Sequence, residues 1–185
     1  MNRRDLLKLI AAATGTAMVG DAIAYVDQMP AATTLKDSDF SKANFATLEA
    51  VCETIIPRTE TPGATDAGVA VFIVGYVTDC YTDEQQTTFL SGLSDIASRS
   101  KAETGTSFVD MSSDQQFEWL SQIDVEATSQ VQAGGGPHYF TLLKQTTLFA
   151  FFSSEAGATQ VLRHIETPGY YDGALPYKKG DRAWA

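Results

Sequence analysis

Val69-Ala70-Val71-Phe72-Ile73-Val74-Gly75-Tyr76-Val77-Thr78-Asp79-Cys80 is the stretch on which the fold class turns. Its β-branched content favours a strand. Its period does not: Val69, Phe72, Ile73, Tyr76, Val77 and Cys80 fall at i, i+3, i+4, i+7, i+8 and i+11, which places all six on one face of a helix. Length and period together override propensity, so the segment is predicted helical with those six residues turned to the core.

The same punctuation organises the chain on both sides. Upstream, Phe45, Leu48, Cys52, Ile55 and Ile56 have helical spacing from Ser41 until Pro57 stops them, and Arg58 to Thr65 is a loop with Pro62-Gly63 at its turn. Asp66 is expected to cap the following helix through its carboxylate. Downstream, Thr82 with Gln85 forms a capping-box pattern ahead of Phe89, Leu90, Leu93, Ile96 and Ala97, with Asp83-Glu84 in the first turn and Gly105 past the end. Ser113 with Gln116 repeats the device before a shorter helix carrying Phe117, Leu120 and Ile123. A polar linker and Gly134-Gly135-Gly136 follow. Pro137 then sits at or just before the first turn of a fifth helix through Phe140, Leu143, Thr147, Ala150 and Phe151. No segment alternates with period two over a useful length, so the expected architecture is an all-α bundle of about five helices. Residues 41–166 form the helical domain, and 167–185 form an irregular tail with Tyr170, Tyr171, Tyr177 and Trp184 that docks on a surface.

A chain of 185 residues is long enough for one domain with a real core. The formal net charge is -10. Removing residues 1–24 takes away Arg3, Arg4 and Lys8 together with Asp5 and Asp21, which leaves -11. A surface this acidic, with no Lys/Arg cluster interrupting it, repels phosphate backbones, so nucleic acid is excluded as a partner and anionic bilayers are disfavoured.

The start of the chain reads as an address. Arg3-Arg4-Asp5-Leu6-Leu7-Lys8 is a twin-arginine pattern. Leu9 to Gly20 is mildly apolar and about half of the ~20 residues a spanning helix needs. Ala22-Ile23-Ala24 stands where a small-x-small cleavage site belongs, so cleavage is expected after Ala24, with residues 25–40 as a linker. The twin-arginine route moves proteins already folded, often around a cofactor, into the periplasm.

Motifs for cofactor chemistry are not found in the chain itself. Gly134 to Gly136 lacks the spacing and the preceding strand of a dinucleotide site, and two cysteines 28 positions apart offer no haem-attachment, iron-sulfur or zinc pattern. The chain is therefore expected to hold no cofactor, no metal and no catalytic residue. His138, after Pro137 at a helix start, fits a surface or capping role, and His164 beside Arg163 and Glu166 fits a solvated one; a small hydrolase using either histidine is the least favoured reading. Cys52 and Cys80 both fall on predicted buried faces, and an oxidising compartment leaves a Cys52–Cys80 disulfide open. A simple hairpin would misalign them by on the order of 14 Å along the helices, so two free thiols or a bridge to a partner stand beside it.

Ile55-Ile56-Pro57-Arg58-Thr59-Glu60-Thr61-Pro62-Gly63-Ala64-Thr65-Asp66-Ala67-Gly68-Val69 resembles the signature segment of the gluconate 2-dehydrogenase subunit 3 family. Ser91-Gly92-Leu93, Phe151-Phe152-Ser153-Ser154-Glu155-Ala156-Gly157 and Pro168-Gly169-Tyr170-Tyr171 are similar to later landmarks of that family. The resemblance implies a small, non-catalytic subunit of a membrane-associated periplasmic dehydrogenase of the gluconate, sugar or polyol type. Its large subunit binds FAD, and its cytochrome c subunit carries c-type haem. It further implies that the small subunit's twin-arginine signal takes the flavin subunit through the translocase. Arg58, Thr61, Pro62 and Gly63 are then candidates for contact with the large subunit, beside the plainer reading of a rigid interhelical loop. Ser154 and Glu155 are candidates beside the reading of a surface turn, and Tyr170 and Tyr171 could wrap the partner. The competing reading is a stand-alone exported helical binding or structural module with no redox partner.

Overall fold

Ser41 opens the first helix by accepting the Asn44 N–H on its hydroxyl at 3.1 Å, which satisfies one of the amides a helix start leaves open. The computed structural model describes residues 40–184 apart from Pro168 and Tyr171. Their elements are α1 (Lys42–Ile55), α2 (Val69–Cys80), α3 (Asp83–Thr104), a 3-10 turn (Phe108–Asp110), α4 (Ser113–Gln132), α5 (Tyr139–Phe152) and a π-helical turn (Gly157–Val161). Among the described residues there is no strand, only an isolated bridge between Arg163 and Trp184, so the chain is all-α as its periodicity predicts.

Helices α1 and α5 form the centre, and each packs against the other and against α2, α3 and α4. Their seam is apolar: Leu48 and Val51 of α1 and Leu143, Ala150 and Phe151 of α5 are buried, with Ile73, Phe89, Leu93, Ile96 and Ile123 closing around them. Inside the seam the Cys52 thiol meets the Thr147 hydroxyl at 3.4 Å. That hydroxyl donates to the Leu143 carbonyl at 2.8 Å, so the thiol is the donor in the first contact. Burial pushes the Cys52 thiol up to about 12, which keeps it protonated and inert at neutral pH.

Helix α3 begins with the Thr82–Gln85 capping box and ends at Gly105, whose φ of 77° is a left-handed stop that a side chain would oppose. The 3-10 turn then buries Phe108 against Trp119 at a ring separation of 5.7 Å. On the surface, Arg99 binds Glu126 with both terminal nitrogens, at 2.7 and 2.6 Å, and Glu103 through Nε at 2.6 Å. Glu103 in turn accepts the Trp119 indole N–H at 2.9 Å, so one network fastens α3 to α4. The arginine beside them holds Glu126 and Glu103 below the usual carboxylate range.

Several expectations need correction. The second capping box is Ser112–Gln115, one residue earlier than Ser113–Gln116, and α4 runs on to Gln132 through what reads as a polar linker. Ala127 accounts for that continuation, since it is buried and gives the second half of α4 a foothold on the core. Helix α2 has no side-chain cap: its N-cap is Gly68 at φ 66°, and the Asp66 carboxylate is used elsewhere. The buried face of α2 is Val69, Ala70, Ile73, Val74 and Val77, rotated away from the predicted one, so Phe72 and Cys80 are exposed and Tyr76 is half-buried. Phe117, predicted as core, is 64% exposed. Cys52 and Cys80 are both free, the first buried and the second exposed, so the Cys52–Cys80 pairing is not formed. The expectations for Arg3, Arg4, Leu6, Leu7, Lys8, Ala24 and Tyr171 fall outside the described residues.

Candidate functional site

The segment between α1 and α2 is folded around two carboxylates. Glu53 lies in the last turn of α1, where its charge opposes the helix dipole, and it turns out of the helix to accept two loop amides. Its Oε1 takes the Arg58 N–H at 2.9 Å and its Oε2 the Thr65 N–H at 2.8 Å. The Asp66 carboxylate accepts the Gly63 N–H at 3.0 Å and pairs with the Arg58 guanidinium at 2.8 Å. The Ala64 N–H returns to the Ile56 carbonyl at 2.9 Å, which closes the loop on the end of α1. Gly63 is buried at the centre, and a Cβ there would clash with Glu53 Oε1 and lie 2.7 Å from the Arg58 nitrogen. Only glycine fits where both backbones approach that carboxylate. The loop presents Pro57 and Arg58 outward, and with Phe117 they line a cleft of about 380 Å³.

A second surface lies on α2 and α5. The Phe72 and Tyr76 rings stack at 5.9 Å, and Phe149 meets Phe72 at 6.1 Å and Tyr76 at 5.3 Å. Phe72 is 46% and Phe149 49% exposed, and the exposed Phe152 follows Phe149 at i+3 on α5. No charged residue occurs in 67–78 or in 145–154. In a protein of net charge -10 this is an uncharged aromatic face, the composition of a partner-binding core rather than of a solvated helix.

The residues singled out from the sequence fall into three separate groups. Arg58, Thr61, Pro62 and Gly63 are brought together in the carboxylate-centred loop, with Arg58 exposed, Thr61 and Pro62 half-buried and Gly63 buried. Ser154 is structural: its hydroxyl donates to the Phe151 carbonyl at 2.6 Å and accepts the Gly157 N–H at 3.0 Å, while Glu155 points to solvent. Tyr170 is 81% exposed in the tail. Sequence reasoning missed Glu53, although an acid in the last turn of a helix hints that it has another task. It also missed the α2–α5 face, although Thr147-Leu148-Phe149-Ala150-Phe151-Phe152 holds more apolar residues than one helix face can bury.

His138 is the N-cap of α5, and its Nδ1 accepts the Phe140 N–H at 3.2 Å, a role open only to the neutral ring. Burial pulls its pKa below the ordinary 6.5, against the opposing pull of Glu126 and Asp95 and with the help of Arg99. Because the folded value lies below the unfolded one, the stabilisation is complete above about 6.5 and is lost as pH falls through the folded value. The melting temperature of the native protein should therefore fall more steeply between pH 7.5 and pH 5 than that of His138→Asn, which keeps a cap without a titrating group. Parallel curves for the two proteins would refute this. His164 is exposed.

Among the described residues no group of three or more His, Cys, Asp and Glu side chains is placed to hold a metal ion, and no helix is long and apolar enough to cross a membrane. Neither curated proteins nor solved structures match the chain. The model of one family, Gluconate 2-dehydrogenase subunit 3, matches residues 42–169, a span that takes in α1 to α5, the loop built on Glu53 and the aromatic face. With most of its length matched, the chain belongs to the gluconate 2-dehydrogenase subunit 3 family and is by that membership an accessory subunit of a dehydrogenase complex.

Proposed function

We propose that this chain is the non-catalytic small subunit of a membrane-associated periplasmic dehydrogenase of the gluconate, sugar or polyol type, and that it serves the export, maturation and stability of a flavin-bearing large subunit. FAD belongs to that large subunit, and c-type haem to a cytochrome c subunit that this chain meets only indirectly. The twin-arginine translocase recognises Arg3-Arg4 and passes the assembled pair into the periplasm. Family membership carries the reading. The α2–α5 aromatic face supports it, because Phe72, Tyr76 and Phe149 offer a continuous, uncharged surface on which a larger protein can seat.

Affinity purification of the tagged full chain from the periplasm of its host tests the proposal. A yellow complex with flavin absorbance is expected. A colourless monomer would refute it and favour the stand-alone module. Within the complex, Phe72→Ser combined with Phe149→Ser should weaken retention of the flavin subunit by about 30-fold or more, the loss associated with hot-spot aromatics. Both side chains are about half exposed, so the melting temperature of the isolated small subunit should change little. Undiminished retention would show that the large subunit sits elsewhere.

A further inference from the structure

Positive charge is distributed unevenly along the described chain. Between residues 40 and 162 the basic residues are Lys42, Arg58, Arg99, Lys101 and Lys144, and acidic residues outnumber them. Three of the five are consumed in ion pairs, Arg58 with Asp66, Arg99 with Glu103 and Glu126, and Lys144 with Asp124. After residue 162 the balance reverses. Arg163, Lys178, Lys179 and Arg182, with His164, stand against Glu166, Asp172 and Asp181, and none of these four cations is paired with a carboxylate among the described residues.

The end of the chain is folded into a hook that gathers them. The Arg163 N–H donates to the Ala183 carbonyl at 2.8 Å, and the Arg163 guanidinium lies 4.7 Å from the centre of the Trp184 ring. Lys178 to Asp181 makes a tight turn in which Asp181 accepts the Lys178 N–H at 2.9 Å and Gly180 supplies a φ of 98°. Asp181 is thus occupied by its own turn. Between the two arms of the hook, Arg163, His164 and Arg182, with Asp181 beside them, line a hollow of about 480 Å³, room for side chains rather than for a bare ion. Tyr177 and Trp184 beside it are 76% and 50% exposed.

We propose that this hook is a docking seat for an acidic, carboxylate-bearing segment of the flavin subunit, a reading that rests on the function proposed above and assigns the tail its partner chemistry. Charge complementarity selects the occupant: Arg163 and Arg182, neither in an ion pair among the described residues, face the hollow against the single carboxylate of Asp181, which the Lys178 amide already engages, and Arg, Tyr and Trp together are the residues that concentrate at protein interfaces. The rest of the subunit repels an anionic surface, so the tail adds an electrostatic attraction to the apolar contact that the α2–α5 face offers. A bilayer headgroup is disfavoured by that same body charge, which would have to approach the membrane with the hook.

The test uses the full chain and the purified flavin subunit. Arg163→Gln with Arg182→Gln, and separately Lys178→Glu with Lys179→Glu, should each weaken the complex by about tenfold at low ionic strength, with the difference shrinking by 0.5 M salt as screening removes the native advantage. The melting temperature of the small subunit should be unchanged, because the hook lies outside the α1–α5 core. Equal affinity of native and variant chains at every salt concentration overturns the hook and leaves the small-subunit reading intact. Failure of the native chain to bind the flavin subunit at all overturns both. If the variants keep the partner but lose binding to phosphatidylglycerol vesicles, the hook is a lipid contact and the proposal is wrong.

Discussion

Gly63→Ala is expected to destabilise the subunit by about 1–3 kcal/mol, the usual cost of forcing a methyl group into a filled site. The new Cβ would clash with Glu53 Oε1, and that carboxylate cannot simply swing away, because it holds the Arg58 and Thr65 amides at 2.9 and 2.8 Å. Glu53→Ala removes the same two charge-assisted bonds and should cost about 2 kcal/mol, held below the buried value because water can reach the freed amides. The two changes strike one structure, so they should not add. Once Glu53 is gone, part of the space that Gly63→Ala needs is free, and the double variant should be less destabilised than the sum by at least ~0.5 kcal/mol. Urea midpoints of the four proteins measure the cycle. Strict additivity would mean that the loop is not organised around this carboxylate, and that the family's signature has some purpose other than closing α1 onto α2.

How far the sequence disclosed this structure depends on what each residue answers to. Phe140, Leu143, Thr147, Ala150 and Phe151 were readable as one face of α5 because period alone determines which residues share a face, and all five are buried. Thr82–Gln85 was readable because a capping box is complete within four residues. Helix α2 shows where this stops. It carries apolar residues on more than half of its circumference, and periodicity cannot say which belong to this chain's core and which to a surface shared with another protein. Period therefore assigns Phe72, Tyr76 and Cys80 to the core, where the structure leaves Phe72 and Cys80 exposed and Tyr76 half-buried. Phe117 fails in the same way, since an apolar residue at helical spacing is indistinguishable from core until its neighbours are known. The loop was readable only in outline: Pro62-Gly63 marked the turn, but the work of Glu53 and Asp66 depends on contacts that spacing does not encode. Asp66 illustrates the competition, because a residue suited to capping α2 is drawn instead to Arg58 and the Gly63 amide.

On the proposed function, replacing Arg3 and Arg4 together by lysine should remove both this subunit and the flavin subunit from the periplasm. The substitution keeps both positive charges, so a loss would report recognition of the guanidinium pair rather than of charge alone. The replaced pair lies outside the helices α1 to α5, and the purified variant is expected to melt at the native temperature. The outcome differs in kind from that of the docking variants. With Phe72→Ser and Phe149→Ser the small subunit should still reach the periplasm while the flavin subunit stays behind; with Arg3→Lys and Arg4→Lys both should stay, still bound to each other. Fractionation followed by co-purification from the cytoplasm separates the two cases. A flavin subunit that arrives in the periplasm when its companion has lost the arginine pair would travel by its own route, and the accessory subunit would then have to act after export, on folding or stability alone.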